Sequence, residues 1–294
     1  GGERYFKQYF APSMREPSYG PESLIAEMDY AGVDMALLHR TPYLGIDNDF
    51  IADCVSRFPD RLRGLAHVPE WCCVRNPEGS LLELERAVGI GLSGLHFLPP
   101  QLNLHGDNGA WDRAEFRPFW ATVAELDVPF YLHPRLTIPS RTTTYEGHRW
   151  LYSQAWDFGS ETAIQALRLI GSGLFDEFPR LQVVLGHLGE RIPFDMWRID
   201  NLMEKTPVSY PAKKRVSEYM RQNFHLTTSG QFRDAPFHCA LAEMGAARLM
   251  FSIDYPYEEM APAAAWFDNT KLSDADRLRI GRTNAIELFK LDLA

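Results

Sequence analysis

Short apolar runs alternate with helical patterns along almost the whole chain, and this alternation constrains the fold more than any other feature. VDMALLH (33–39), LRGLAHV (62–68), LSGLHF (92–97), VPFYLH (128–133), LQVVLGH (181–187), NFHLTTS (223–229) and RLMFSID (248–254) read as seven strands. Their apolar residues are nearly continuous rather than alternating, as expected where both faces of a parallel sheet are covered. Amphipathic segments such as NDFIADCVSRFPDR (48–61), RPFWATVAEL (117–126) and ETAIQALRLIGSGLFDEFP (161–179) lie between them, so the connections are helical crossovers. A doubly wound sheet usually shows a Gly-rich phosphate turn after its first strand, and neither GxGxxG nor a P-loop is present. The pattern predicts an α/β protein, a (β/α)8 TIM barrel lacking its first strand. Residues 1–21 hold no apolar run able to form a buried strand, and the expectation is that the natural start lies upstream.

Neither a repeat nor a Ser/Gly linker interrupts the chain, so residues 1–294 read as one domain. Two long segments, 97–116 and 135–160, each begin at the carboxyl side of a strand and are expected to sit over the barrel mouth as a lid. A formal net charge of -9 argues against a nucleic-acid partner, which requires clustered Lys and Arg. No apolar run reaches the roughly 18 residues of a membrane span, and no signal-peptide pattern opens the chain. Cys54, Cys72, Cys73 and Cys239 lack CxxC spacing and read as free thiols, so the expected location is cytoplasmic.

Several strands run straight into polar residues. His133 ends the fourth visible strand, His187 the fifth and Asp254 the last. In a parallel barrel, side chains at the carboxyl ends of the strands converge on one mouth, where catalysis is sited. Two imidazoles and a carboxylate suit a borderline divalent cation such as zinc. A lone histidine at a strand end is more often a satisfied core residue, but His133 and His187 have each other and Asp254 as companions. His39, His67 and His96 also end or nearly end strands and are read as structural positions with a small chance of facing the mouth. Within the second insert, His148, Trp150 and Phe158 are candidates to line a pocket, and Glu190 is expected either to orient a neighbouring histidine or to cap a helix start.

HPR (133–135), GLFDEFPRLQVVLGHLGERIPFDMWRID (173–200), FHLTTSGQFR (224–233), FSIDYPYE (251–258) and IGRTNAIELFKLD (280–292) resemble the hydroxybenzoate decarboxylase branch of the amidohydrolase superfamily. The likeness is strong from about residue 117 onward and weaker over 22–96. It implies a distorted barrel with one divalent metal, zinc first with manganese or magnesium as options, held by His133 and Asp254 with His187 close to metal and substrate. The family's first-strand E-x-H or H-x-H pair has no counterpart in residues 1–21. Arg198 matches a family arginine that reaches a substrate carboxylate, commonly across a subunit interface, which implies a homodimer or homotetramer.

The expected activity is therefore metal-dependent, non-oxidative decarboxylation of a hydroxylated, dihydroxybenzoate-like aromatic acid. Asp254 and His187 are the expected catalytic residues, and Arg198, Phe158 and His148 the expected substrate contacts. Two alternatives remain open at this point. One is a metal-dependent hydrolase of a lactone or cyclic amide, and the other a metal-free barrel that binds an aromatic acid.

Overall fold

The computed structural model describes residues 20–39, 47–68, 72–97, 110–137, 139–206 and 209–293. All seven predicted strands form, each with a short paired segment: β1 (Ala36–Leu38), β2 (Leu62–Gly64), β3 (Leu95–Phe97), β4 (Phe130–Leu132), β5 (Val183–Leu185), β6 (Phe224–Thr227) and β7 (Leu249–Met250). Every pairing is parallel, and neighbours in the wall are neighbours in sequence. β1 pairs with β2, and β3 through β7 form a continuous five-stranded sheet. One bridge, Ala66 to Leu95, joins the two parts, helped by Ser93 N–H donating to the Gly64 carbonyl at 2.8 Å. Among the described residues β7 and β1 are not paired, so the barrel wall is open at that seam.

The crossover helices start and stop where local chemistry dictates. Helix α1 (Pro21–Ala31) carries Pro21 in its first turn, where the missing N–H costs nothing, and ends at Gly32 with φ 72°. Helix α2 (Asn48–Arg57) begins where the Asp47 carboxylate accepts from Phe50 N–H, and α3 (Pro77–Gly89) where Asn76 caps Gly79 N–H. Helices α4 (Arg117–Leu126), α5 (Asp157–Gly171) and α6 (Ile192–Lys205) follow, then α7 (Val216–Asn223), α8 (Asp234–Met244), α9 (Met260–Asn269) and α10 (Asn284–Phe289). No described helix is long and apolar enough to cross a membrane.

The largest of three clusters of buried apolar side chains among the described residues runs from Ile51 through Phe130 and Val183 to Ile280. Its densest part is aromatic: Phe97, Trp111, Phe116, Phe119, Trp120 and Phe130 are all buried, with Phe97 stacked on Phe130 at 5.3 Å and Trp111 edge-on to Phe97 at 5.4 Å. Such pairs contribute about 0.5–1.5 kcal/mol each beyond the area they bury. Of the first long insert, residues 98–109 lie outside the described residues. The remainder is anchored in this core, where Trp120 Nε1–H donates to the Trp111 carbonyl at 2.8 Å. The second insert forms 3-10 turns at Pro139–Tyr145 and Arg149–Leu151 before entering α5. A buried carboxylate, Asp157, ties it back by accepting from Thr137 N–H at 2.9 Å.

Candidate active site

Asp254, His187 and Glu190 share an uncommon backbone. Asp254 has φ 83°, and every residue from His187 to Arg191 has a positive φ. Left-handed geometry costs a non-glycine residue roughly 1–2 kcal/mol, and such strain clusters at functional sites. Gly189 supplies one member of the run without penalty, and it could hardly be anything else: a Cβ there would lie 2.9 Å from the Leu226 side chain. The tight turn brings Glu190 back onto the histidine that precedes it. Glu190 Oε1 accepts from His187 Nδ1–H at 2.7 Å, and Glu190 itself is buried. Gly159 on α5 makes room for this pair, since a Cβ there would stand 2.7 Å from Glu190 Oε2.

Electrostatics follow from this packing. Burial pulls the His187 imidazole down, but the Glu190 charge and hydrogen bond, with Asp254 and Glu258, outweigh it and push its pKa up to about 9. Burial pushes the Asp254 carboxyl up to about 6, with the His187 charge pulling back and Glu258 and Glu190 adding to the rise. An imidazolium and an acid poised near neutrality thus face each other at the ends of β5 and β7. Burial, with His39 next, holds His133 well below the ordinary imidazole range, and His187 adds to the effect. The three residues singled out in the sequence are therefore brought together. Of the three, Asp254 lines a cavity of about 1440 Å³, with Tyr131, Ser229, His39 and apolar side chains that include Leu65 and Met250.

The donor set fits a divalent cation. His133 Nδ1–H donates to the Pro134 carbonyl at 2.8 Å, which fixes the tautomer and leaves the Nε2 lone pair for a ligand. The Asp254 carboxylate accepts no hydrogen bond from a described residue and supplies hard oxygen donors. Among the described residues no three His, Cys, Asp or Glu side chains form a finished cage, so these donors are a partial set.

The remaining candidates are not among the residues that line the cavity. Arg198 is exposed on α6 and pairs with no described residue. Phe158 is half-buried at the start of α5, and His148 and Trp150 are exposed. Tyr131, Thr227 and Ser229 were not singled out in the sequence, yet all three line the cavity. The signal available for them was their place in or just after a strand.

The family model described as amidohydrolase matches residues 9–291. The chain belongs to the amidohydrolase family. Within it, the chain is 46% identical over 284 residues to the γ-resorcylate decarboxylase of Rhizobium sp. (strain MTP-10005), a match covering 94% of this chain and 85% of that one. It superposes on a crystal structure of 2,6-dihydroxybenzoate decarboxylase complexed with 2,6-dihydroxybenzoate with a TM-score of 0.89 and 37% identity, covering 98% of this chain and 95% of the other. It is also similar to the dihydroxybenzoic acid decarboxylase of Polaromonas sp. JS666, solved with bound manganese and the inhibitor 2-nitroresorcinol, with a TM-score of 0.86 and 42% identity over 96% of this chain and 88% of that one. The two superpositions show that this chain and the solved decarboxylases share one fold.

Proposed function

We infer that this amidohydrolase is a metal-dependent, non-oxidative decarboxylase of a hydroxylated aromatic carboxylic acid. The observation that carries the reading is the convergence of His133, His187 and Asp254 beyond the carboxyl ends of β4, β5 and β7, with Asp254 lining the cavity. Its relatives' names point to the same chemistry.

His133 Nε2 and Asp254 would hold one divalent cation, with His187 as a further donor if it gives up its proton. That cation supplies charge to polarise the carboxylate and ortho-hydroxyl oxygens of the acid. Manganese, the ion in the Polaromonas structure, fits these hard and borderline donors as well as zinc does. Asp254, protonated at the moment of reaction, delivers its proton to the ring carbon that bears the carboxylate. The bond from that carbon to the carboxyl carbon then breaks, carbon dioxide leaves and the ring regains aromaticity. Where His187 keeps the proton that Glu190 favours, it donates a hydrogen bond to the bound anion instead of ligating the cation.

The reading extends to assembly and location. Phe194 and Trp197 on α6 are 80% and 72% exposed and flank Arg198. Exposed aromatics beside an exposed arginine are the composition of an interface centre. A homo-oligomer built on this face would carry Arg198 toward a neighbouring mouth, where its planar fork suits a carboxylate. Phe158 and His148 belong to the lid in this reading. The whole of 1–294 acts as one domain, in the cytoplasm.

The test is direct. The manganese-loaded protein is incubated with the dihydroxybenzoates, and carbon dioxide and the corresponding phenol are measured. Stoichiometric release of both is expected. Metal-replete protein that releases neither, or that instead opens lactones or cyclic amides, overturns the assignment. Turnover that persists undiminished after the metal is removed overturns the metal dependence, and binding of the acid without metal or turnover argues for a metal-free binding barrel.

A further inference from the structure

Four histidines stand at the carboxyl ends of neighbouring strands, and the mechanism above uses only one of them. His39 follows β1, His96 lies within β3 and His133 follows β4. His39 stacks on His96 with ring centroids 4.1 Å apart and planes 19° apart. His96 meets His133 edge-on at 5.0 Å, and His39 lies 5.6 Å from His133. The fourth, His67, is fixed by the protein itself: its Nδ1–H donates to the His96 carbonyl, and Asn48 brackets its backbone N–H and carbonyl at 2.9 Å each.

His39 and His96 are held differently. His96 is fully buried, and neither of its ring nitrogens has a hydrogen-bond partner among the described residues; His39 Nδ1 has none there either. Buried polar atoms left unpaired cost stability, and a cluster of them beside a cavity calls for a functional account. A second metal ion is not that account. An imidazole lone pair lies in its ring plane, so two nearly parallel stacked rings cannot aim theirs at one ion. A neutral imidazole offers one donor and one acceptor, the complement of a hydroxyl group. His39 lines the cavity that Asp254, Tyr131 and Ser229 also line, and His96 lies behind it as its stacking support.

We propose that the His39–His96 stack is a specificity-determining wall that hydrogen-bonds a second ring hydroxyl of the aromatic acid, beyond the ortho-hydroxyl beside the carboxylate. The proposal rests on the decarboxylase reading for the identity of the acid. His39 makes the contact, and His96 is a positioning residue that sets the plane of the His39 ring. A wall of this kind rejects acids that lack the second hydroxyl, because its own polar atoms then stay unpaired.

The test compares kcat/KM for 2-hydroxybenzoate and for the 2,3-, 2,4- and 2,6-dihydroxybenzoates in the manganese-loaded wild type and in His39→Leu, His39→Gln and His96→Leu. For the preferred dihydroxy acid, His39→Leu is expected to lower kcat/KM by about 10-fold or more, and for the monohydroxy acid by less than about 3-fold. His39→Gln, which keeps a donor and an acceptor, is expected to recover most of the difference. His96→Leu is expected to shift the same preference, chiefly through KM. Equal losses on every acid, or none, overturn the proposal. If the wild type decarboxylates none of them, the decarboxylase reading has failed and binding decides this one. Calorimetry then compares phenol with catechol and resorcinol: a preference for a diol that His39→Leu abolishes supports the wall, and no preference overturns it.

Discussion

Glu190 and His187 are three residues apart, and a run of left-handed backbone folds one onto the other at 2.7 Å. The pair sets the protonation state of the imidazole nearest to Asp254. Raising His187 from 6.5 to about 9 corresponds to roughly 3 kcal/mol of interaction favouring its charged form, before allowance for solvent at a side chain that is 27% exposed.

That interaction has a definite pH signature in the metal-free protein. The folded pKa lies above the unfolded one, so the stabilisation is complete below about 6.5 and is lost as pH rises through about 9. Glu190→Gln is expected to lower the His187 pKa toward its ordinary value and to flatten the dependence of stability on pH over this window. NMR titration of the imidazole, with urea unfolding at pH 6 and pH 9, checks both. A His187 pKa unmoved by the change contradicts the account.

Asp254→Asn gives a clean test of the acid. Asparagine tolerates left-handed backbone, so a φ of 83° is kept while the transferable proton is removed. Turnover is expected to fall by about 10²–10⁴-fold with substrate binding retained. Near-normal kcat would falsify the role.

The aromatic core makes a stability prediction. Trp111 is fully buried and touches Phe97, Phe116, Phe119, Trp120 and Phe130. Trp111→Ala is expected to cost about 3–5 kcal/mol, read as a lowered denaturation midpoint. A loss under about 1 kcal/mol would show that the segment around residue 111 is not anchored as described.

Assembly is tested at α6. Phe194→Glu combined with Trp197→Glu is expected to shift the protein to a smaller species in light scattering, with its circular dichroism unchanged. Arg198→Ala is expected to raise KM or lower kcat by at least about 10-fold, the worth of a charged hydrogen bond. Mixing it with His133→Ala should restore part of the activity, because a mixed interface can pair an intact arginine with an intact metal site. Full activity in a dilute monomer contradicts the arrangement.

Most of the fold was legible because the strands are covered on both faces, which makes VVL and FYL stand out as uninterrupted apolar runs. His133, His187 and Asp254 were legible for the same reason, each being a polar residue where such a run stops. Glu190 stayed between two readings because only the turn from His187 to Arg191 reveals that it reaches backward, and local composition announces that turn only through its glycines. His39 and His96 looked like isolated strand-end histidines. Their stacking depends on β1 and β3 standing on either side of β2 in register, a contact between residues 57 positions apart that no local pattern carries.

The backbone divides the mouth into halves with different evolutionary freedom. His187, Glu190 and Asp254 stand on left-handed residues, where almost any replacement distorts the chain as well as the chemistry. His39 and His96 have ordinary negative φ values, so a new side chain there disturbs only packing and contacts. Selection for a new acid would therefore be expected to rewrite the β1–β3 wall first and to leave the β5 and β7 ends untouched. A natural lineage or a laboratory library would then diversify its substrates while inheriting one unchanged proton donor.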